Sequence, residues 1–590
     1  MTVALRVLVA IVATASVLGC GDDDPANLPR TSVRQWDRFE ATLPRAVSEP
    51  NPFDPSTIAV DAELRSPAGQ TLLVPAFVGR EYDRELVGGF EKLHASGELQ
   101  WKVRFTATQT GLWSWRWRIT TAAGVENGAW SELTVSAPAA AAHGFVRRSG
   151  RDGRFLEFDD GASYWAIGEN LAWYDGRGTF AYDDWLAKLA AQGCNYVRLW
   201  MPSWAFGLEW IKRDGTGAVA SSSLGNYRDR LDRAWQLDQV IESARRHGIY
   251  VMLSIQNHGA FSLESNSEWA DNPYNGANGG PLVTPRELFT NPQAIELFKR
   301  RLRYIVARWG YAPNVMTWEL WNEADLVEQP SPNDMIAWQR DMARELRNLD
   351  PYDRLVSTST AARDQLAAVW QLPEIDYTQI HYYAFGGLSP DFSILLPGLV
   401  TRFRRFEKPV LLGEVGVDFR GPAETLQRDP DGDGFHDILW SGLISASFGT
   451  GMSWWWDNVV DPENLYFHFG PLAAFTAGVD FPGEGFRARS TLATASDGHS
   501  VRVFILEGVS TSLVWIKNTA HNWSAPDLSI VHGATVSIAD LGDTRWTATW
   551  FDTRSGARTK VDDITPIDGA AMISVPPFSR DVALRLDRAL

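Results

Sequence analysis

The chain has 590 residues, of which 45% are hydrophobic and 22% charged, so it can form several packed domains. It carries 55 Lys and Arg against 72 Asp and Glu, which gives a net charge of −17. Because contacts with phosphates need clustered cations, this acidic balance argues against a nucleic-acid partner. The 27 Trp residues supply flat apolar rings, which suit both protein cores and the faces of sugars.

The N-terminus has the pattern of a secretory leader. Arg6 precedes an apolar run that ends in Val17-Leu18-Gly19-Cys20. This ending resembles the lipobox of bacterial lipoproteins, in which the Cys is acylated. We therefore expect residues 1–19 to be a lipoprotein signal peptide, Cys20 to be lipidated and residues 20–31 to be a solvated tether. An ordinary signal peptide with a chance Cys is the alternative.

A lipid at Cys20 would make the protein an exported bacterial lipoprotein, anchored to a membrane in the periplasm or at the cell surface. Cys194 then has no partner for an intrachain disulfide, and we expect it to be a buried free thiol. No other segment contains the roughly 18 apolar residues that a membrane span requires.

Residues 32–137 predict a β-sandwich of immunoglobulin type. Runs of strand length alternate with turns rich in Gly, Pro and Ser. Along residues 112–120, Trp113, Trp115 and Trp117 share one face, which is more typical of a core than of a sugar platform. The Ala and Pro residues at 137–142 indicate a linker.

Between residues 145 and 485 the pattern changes to strands that alternate with helices. The predicted strands are 164–168, 196–201, 249–256, 315–321, 355–358, 377–383, 410–413 and 452–456, and the clearest helices are 182–192, 231–247, 292–309 and 334–349. Eight strands with helical crossovers predict a (β/α)8 barrel. An open doubly wound sheet would have a Gly-rich turn after its first strand, and this sequence has none there.

Residues 490–590 return to short strands and predict a second, small β-sandwich. The chain is therefore expected to be multidomain, with a central (β/α)8 barrel between two β-sandwiches.

Polar residues follow six of the eight predicted barrel strands. Asn322-Glu323 ends the fourth strand and Glu414 the seventh. Strand ends meet at one face of a barrel, so two carboxylates there can protonate a leaving group and attack an anomeric carbon. The other strands contribute Arg198 (second), His258 (third), His381 and Tyr383 (sixth), and Trp454 and Trp456 (eighth).

This set resembles the clan of retaining glycoside hydrolases that contains cellulases, β-mannanases and β-galactosidases. The resemblance implies that Glu323 is the acid/base, that Glu414 is the nucleophile and that the substrate is a β-linked polysaccharide or oligosaccharide. The N-terminal sandwich is similar to the immunoglobulin-like domain that often precedes such barrels. One departure is Ala324, where many members carry Pro.

A retaining mechanism needs the two carboxyl groups about 5–5.5 Å apart. We expect Arg198 to favour the ionised form of Glu414, and burial and the charge of Glu414 to raise the pKa of Glu323. Asn322 could bond the sugar 2-hydroxyl, and Trp454 or Trp456 could stack on the ring. Glu319, deeper in the fourth strand, is expected to form a structural ion pair.

No cofactor is required for this chemistry. A structural calcium site is considered at Asp429, Asp431, Asp433 and Asp437, because Asp at positions one, three and five with Gly at six copies the start of an EF-hand loop. The twelfth position is Trp440 rather than Glu, so a solvated turn is the simpler interpretation.

Two other functions fit the same residues. One is a surface glycan-binding lipoprotein without catalytic activity, and the other is a transglycosylase that passes the covalent intermediate to a sugar acceptor. The choice of sugar depends on loops such as 257–290 and 384–400, and the pattern favours no oligomeric state.

Overall fold

A computed structural model describes residues 32–589 except 329–330, 363–366, 386 and 389. The predicted signal peptide and tether, with Cys20, lie outside the described residues. Within the described part of the chain, none of the helices combines the length and apolarity needed to cross a membrane. Cys194 is buried and free, as expected.

The N-terminal domain is β-rich. Its strands β1–β11 are Ser32–Arg34, Arg38–Ala46, Ile58–Arg65, Thr71–Pro75, Phe77–Gly79, Tyr82–Val87, Phe90–Ala95, Gln100–Thr106, Gly111–Thr121, Gly124–Asn127 and Ser131–Ser136. One sheet has the order β1-β11-β9-β3-β4, with β10 beside β9, and a second has the order β2-β8-β5. Trp113 and Trp115 on β9 are buried in the core, which confirms that the Trp stripe packs inside. Strands β6 and β7 form a separate hairpin.

The central region begins with a small antiparallel sheet and continues with parallel strands. Strands β12–β23 are Val146–Arg148, Leu156–Phe158, Ser163–Tyr164, Gly168–Asn170, Tyr196–Trp200, Ile211–Arg213, Val219–Ser222, Tyr250–Ser254, Val315–Glu319, Leu355–Ser357, Thr378–Tyr383 and Val410–Gly416. β15, β16, β19, β20 and β21 pair in this order, all parallel, and β22 pairs parallel with β23.

Two of the predicted barrel strands differ from expectation. The first, at 164–168, is divided, because Tyr164 ends an antiparallel strand and β15 covers Gly168–Asn170. The eighth, at 452–456, is replaced by isolated parallel bridges of Gly449 with Ala166 and of Ser453 with Val415. The extended backbone ends at Trp455, which has a φ of 66° and precedes a π-helical turn. The prediction of a strand at 452–456 is therefore wrong.

In the chain, helices α1–α6 lie between the parallel strands, and α7–α9 follow β23. Helices α1–α9 are Thr179–Ala191, Leu231–Arg246, Pro292–Trp309, Pro332–Leu349, Ala367–Trp370, Phe392–Phe403, Pro422–Arg428, Asp433–Ile444 and Phe469–Thr476. The Asn291 side chain caps α3 through two backbone amides. Ser331 caps α4 by accepting the Asp334 N–H.

The C-terminal region is again β-structure. Strands β24–β31 are Arg487–Thr494, Ser500–Glu507, Thr511–Asn518, Thr535–Ile538, Trp546–Phe551, Arg558–Ile564, Ala571–Ser574 and Asp581–Arg588. A six-stranded antiparallel sheet has the order β24-β25-β26-β31-β28-β29, and β27 pairs with β30. These strands share a core of their own, and Lys517 joins the sheet to α8 by an ion pair with Asp437.

Candidate active site

The two predicted catalytic carboxylates converge. Glu414 is the fifth residue of β23, and Glu323 follows the end of β20 at Glu319. One oxygen of each carboxylate and a ring nitrogen of His381 lie within 4.8 Å of one another. This separation leaves room for a single sugar carbon between the carboxylates.

The backbone at Glu323 explains how neighbouring residues reach the same cleft. Strict alternation would place Asn322 and Glu323 on opposite faces. Glu323 instead has a left-handed backbone (φ 52°, ψ 56°), which non-glycine residues adopt rarely and which functional sites often retain. Its N–H donates to Ser359 Oγ at 3.0 Å, so the neighbouring strand end stabilises this conformation.

Arg198 on β16 links the buried acidic residues. It is completely buried and makes a bidentate pair with Glu319, at 2.7 and 2.8 Å. Its Nη1 donates to Glu414 at 2.7 Å, and its Nη2 donates to Asn322 Oδ1 at 2.7 Å. The structural ion pair of Glu319 is thereby confirmed. The Arg198 guanidinium therefore bonds both buried carboxylates and can hold them in fixed positions.

Tyr383 and the two histidines complete the polar site. Tyr383 donates its hydroxyl to the second oxygen of Glu414 at 2.8 Å. His381 Nδ1 lies 2.9 Å from one oxygen of Glu323 and 3.7 Å from Glu414. His258 lies 3.7 Å from the other oxygen of Glu323 and 3.0 Å from the Asn322 amide. All the predicted polar residues therefore lie around one carboxylate pair.

The pKa of Glu323 differs from expectation. Burial raises it, but the hydrogen bond and charge of His381, together with His258 and Arg198, outweigh burial and lower the pKa below 4.5. Burial lowers the pKa of His381, yet Glu414 and Glu323 raise it above 6.5. The expected rise for Glu323 was wrong, because the sequence did not reveal a cation 2.9 Å away. These opposite shifts favour a proton on His381 rather than on Glu323 in the ligand-free site.

An aromatic cluster borders the carboxylates. Trp454 is partly accessible, and its ring centroid lies 5.0 Å from that of Trp200. Trp456 is only 1% exposed, so it supports the cluster from below and does not offer a face to a sugar. Trp173 contacts both of these Trp rings and also Trp204, which is 41% exposed.

Sequence reasoning missed several of these residues. Asn170 ends β15, accepts a hydrogen bond from Arg198 at 3.2 Å and donates to the Gly413 and Ser453 carbonyls. A polar residue at the end of the first strand was the available signal, but the predicted strand stopped at residue 168. Trp173 was missed for the same reason.

The aspartates of the calcium hypothesis do not converge. Asp433 starts α8 and pairs with Arg554, and Asp437 pairs with Lys517 on the C-terminal sheet. Asp429 accepts the backbone N–H groups of residues 434 and 435. In the described part of the chain, only Glu323, His381 and Glu414 bring three ligand-type side chains together. The calcium hypothesis is therefore wrong, because the carboxylates of Asp433 and Asp437 form ion pairs between domains and Asp431 joins no such group.

The Glu323–His381–Glu414 group is better suited to acid–base chemistry than to a metal. The Arg198 guanidinium lies 2.7 Å from Glu414 and would repel a second cation.

Comparisons with known proteins agree with the site. Residues 160–432 match the family profile described as cellulase (glycosyl hydrolase family 5). Residues 32–120 match a domain of unknown function, DUF5060. The chain is 27% identical over 332 residues to mannan endo-1,4-beta-mannosidase 1 of Oryza sativa, which covers 48% of this chain and 72% of that protein. It is 24% identical over 276 residues to mannan endo-1,4-beta-mannosidase 7 of Arabidopsis thaliana, covering 41% and 61%.

A solved structure from Bacteroides vulgatus, named as a glycoside hydrolase, has the same overall fold. It aligns with a TM-score of 0.63 at 17% identity and covers 95% of this chain and 100% of its own. The protein is a glycoside hydrolase. The region that matches the family 5 profile follows a β-rich domain.

Proposed function

We propose that the protein cleaves a β-linked polysaccharide with retention of configuration, and that Glu414 is the nucleophile and Glu323 the acid/base. The observation that carries this proposal is the approach of the two carboxylates within 4.8 Å. Inverting enzymes separate theirs by about 6.5–9.5 Å to admit a water molecule.

In the first step, an oxygen of Glu414 attacks the anomeric carbon while the bond to the leaving oxygen breaks. Arg198 and Tyr383 each bond one oxygen of Glu414, which supports an ionised and oriented nucleophile. Glu323 gives its proton to the leaving oxygen. In the second step, water attacks the same carbon, Glu323 takes a proton from that water, and Glu414 is released as a carboxylate.

The proton for the first step comes from the Glu323–His381 pair. A bound sugar excludes water and desolvates Glu323 further, which raises its pKa towards that of His381. Because His381 Nδ1 and a carboxylate oxygen of Glu323 are 2.9 Å apart, the proton can move from His381 to Glu323 without rearrangement of the side chains.

We also propose that the parallel strands form a (β/α)8 barrel, preceded by an immunoglobulin-like sandwich at 32–137 and followed by a C-terminal sandwich at 490–590. The parallel pairings from β15 to β23 and the two bridges at residues 449 and 453 support this arrangement. Barrel closure would place every site residue at the carboxyl ends of the strands.

A β-1,4-linked mannan is the first candidate substrate, because the relatives named above are mannan endo-1,4-beta-mannosidases. A panel of mannans, glucans, xylans and galactans tests this choice. Hydrolysis of one polymer by the parent, and its loss in Glu414→Ala, is the expected result. Unchanged glycan binding with no hydrolysis in the parent would favour the binding protein, and products longer than the substrate would favour a transglycosylase.

Glu323→Gln tests the acid role. This variant should lose much less activity on aryl glycosides with good leaving groups than on the polymer, since such groups leave without a proton. Equal losses would contradict the role. Glu126→Gln, at an exposed carboxylate on β10 of the N-terminal domain, serves as the control and should change neither activity.

We propose that lipid at Cys20 anchors the protein to a bacterial membrane, in the periplasm or at the cell surface. The lipobox-like sequence supports this location. Cys20→Ser should move the protein from the membrane fraction to the soluble fraction, and continued membrane association would contradict the anchor.

A further inference from the structure

The hairpin β6–β7 of the N-terminal domain lies against the loop 171–178, which follows β15 in the catalytic domain. The Glu91 N–H donates to the Gly176 carbonyl at 3.2 Å. The loop and the hairpin are closely packed here, since a Cβ at Gly176 would lie 2.9 Å from the Phe90 ring. Arg84 of the same hairpin bonds Thr179 and Asp183, each at 2.7 Å. The hairpin therefore contacts both the loop and the start of α1.

Glu91 caps helix α1 from another domain. The N-cap residue of α1 is Gly178, so the helix has no side-chain cap of its own and no acidic residue in its first turn. The Glu91 carboxylate accepts the Thr179 N–H at 3.2 Å and also the Thr179 hydroxyl. A carboxylate at this position satisfies a free amide and complements the helix dipole. Gly178 has φ 61° and ψ −133°, a backbone conformation that favours glycine, and a Cβ there would lie 2.0 Å from a Glu91 oxygen.

A second contact connects Glu91 with the aromatic cluster. Gln236 donates to the Glu91 carboxylate and accepts from the Tyr174 hydroxyl at 3.0 Å. Tyr174 follows Trp173, whose ring centroid lies 5.6 Å from those of Trp200 and Trp454. Glu91 therefore bonds Thr179, at the end of the loop 171–178, directly, and it contacts Tyr174, the neighbour of Trp173, through Gln236.

We propose that the hairpin β6–β7 is a positioning element of the active site, in which Glu91 fixes the loop 171–178 and so holds Trp173 in the orientation that glycan binding requires. Glu91 itself does not touch the substrate. This inference rests on the proposed function, because it takes Trp173 to be part of the sugar-binding surface. It gives the N-terminal domain a role in the reaction.

The test is a double-mutant cycle on glycan affinity. Glu91→Ala, Trp173→Ala and the double variant are each made in a Glu414→Gln background, where the glycan is not cleaved. Calorimetric titration with mannohexaose and with cellohexaose gives Kd. Glu91→Ala should weaken binding about three- to tenfold, as expected if the free energy lost with the helix cap is lost from the ordering of the loop 171–178. The double variant should bind no more weakly than Trp173→Ala, because Glu91 acts through Trp173.

Two further variants control the cycle. Glu85→Ala removes a carboxylate of the same hairpin whose partner, His94 at 2.8 Å, also lies in the hairpin, and its Kd should not change. Glu91→Gln keeps an acceptor for the Thr179 N–H and should recover most of the affinity. If Glu91→Ala does not fold, Gln236→Ala replaces it in the cycle.

An unchanged Kd in Glu91→Ala, or the same loss with and without Trp173, would overturn the proposal. If the cycle shows coupling but the parent hydrolyses no β-glycan, the positioning role stands and the proposed activity fails. Absence of any oligosaccharide binding would overturn both.

Discussion

Arg198→Met removes the one cation that contacts both Glu319 and Glu414. Methionine approximates the length of the arginine stem but carries no charge. Glu319 is completely buried, and among the described residues the neutral Gln379 amide, at 3.1 Å, would be its remaining side-chain donor. Breaking a buried pair by removing one partner costs about 3–5 kcal/mol, because it leaves an uncompensated buried charge.

Activity should fall as well as stability. Glu414 loses a charge-assisted bond of 2.7 Å, and such bonds contribute about 1.5–3 kcal/mol. If the transition state loses all of this stabilising free energy, kcat decreases roughly ten- to a hundredfold.

The double variant Arg198→Met/Glu319→Gln separates these effects. Neutralising Glu319 should restore about 2 kcal/mol or more of the free energy of unfolding, measured by urea denaturation, while kcat stays low. A loss below about 1 kcal/mol in Arg198→Met would refute the reasoning on buried charge. So would a double variant that is no more stable than Arg198→Met.

Three other predictions concern Tyr383 and His381 in the site and the buried His468. Tyr383→Phe should lower kcat roughly tenfold or more without changing the melting temperature, because it removes only the 2.8 Å bond to Glu414; an unchanged kcat would contradict the orienting role. His381→Asn should move the alkaline limb of the kcat/KM pH profile to lower pH. In this variant the proton rests on Glu323 alone, whereas in the parent it is held by the Glu323–His381 pair, in which the pKa of His381 is raised above 6.5. An alkaline limb that does not move would exclude a proton shared by these two residues. Burial, with His436 and Arg554, lowers the pKa of His468 well below 6.5, so the unfolded chain binds more protons below pH 6.5. The contribution of His468 to stability should therefore be fully present above pH 6.5 and decrease as the pH falls below this value. In calorimetric scans at several pH values, the melting temperature of His468→Gln should fall less steeply with decreasing pH than that of the parent. Equal slopes for the two proteins would contradict this prediction.

Much of the site could be predicted because its signals are local. Glu414 follows a short apolar run, and Glu323 follows another, so the strand ends and their polar residues are visible in the sequence. The contacts among these residues are not local. The proximity of His381 to Glu414 depends on the register of β22 with β23, which shifts between residues 380 and 381.

Three features of the fold had no clear local signal. The left-handed backbones at Glu323 and Trp455 occur at residues other than glycine, so composition does not indicate them. The cap of α1 comes from Glu91, in a different domain. The acidic stretch 429–437 resembles a calcium loop, but pairing with Arg554 and Lys517 determines its role.

The stereochemistry of the first product tests the central claim most directly. Proton NMR during the first minutes of hydrolysis, before the anomers equilibrate, identifies the sugar that leaves the enzyme. Two carboxylates within 4.8 Å predict a product that keeps the β configuration. An initial α-anomer would contradict the assignment of Glu414 as nucleophile and with it the proposed double displacement.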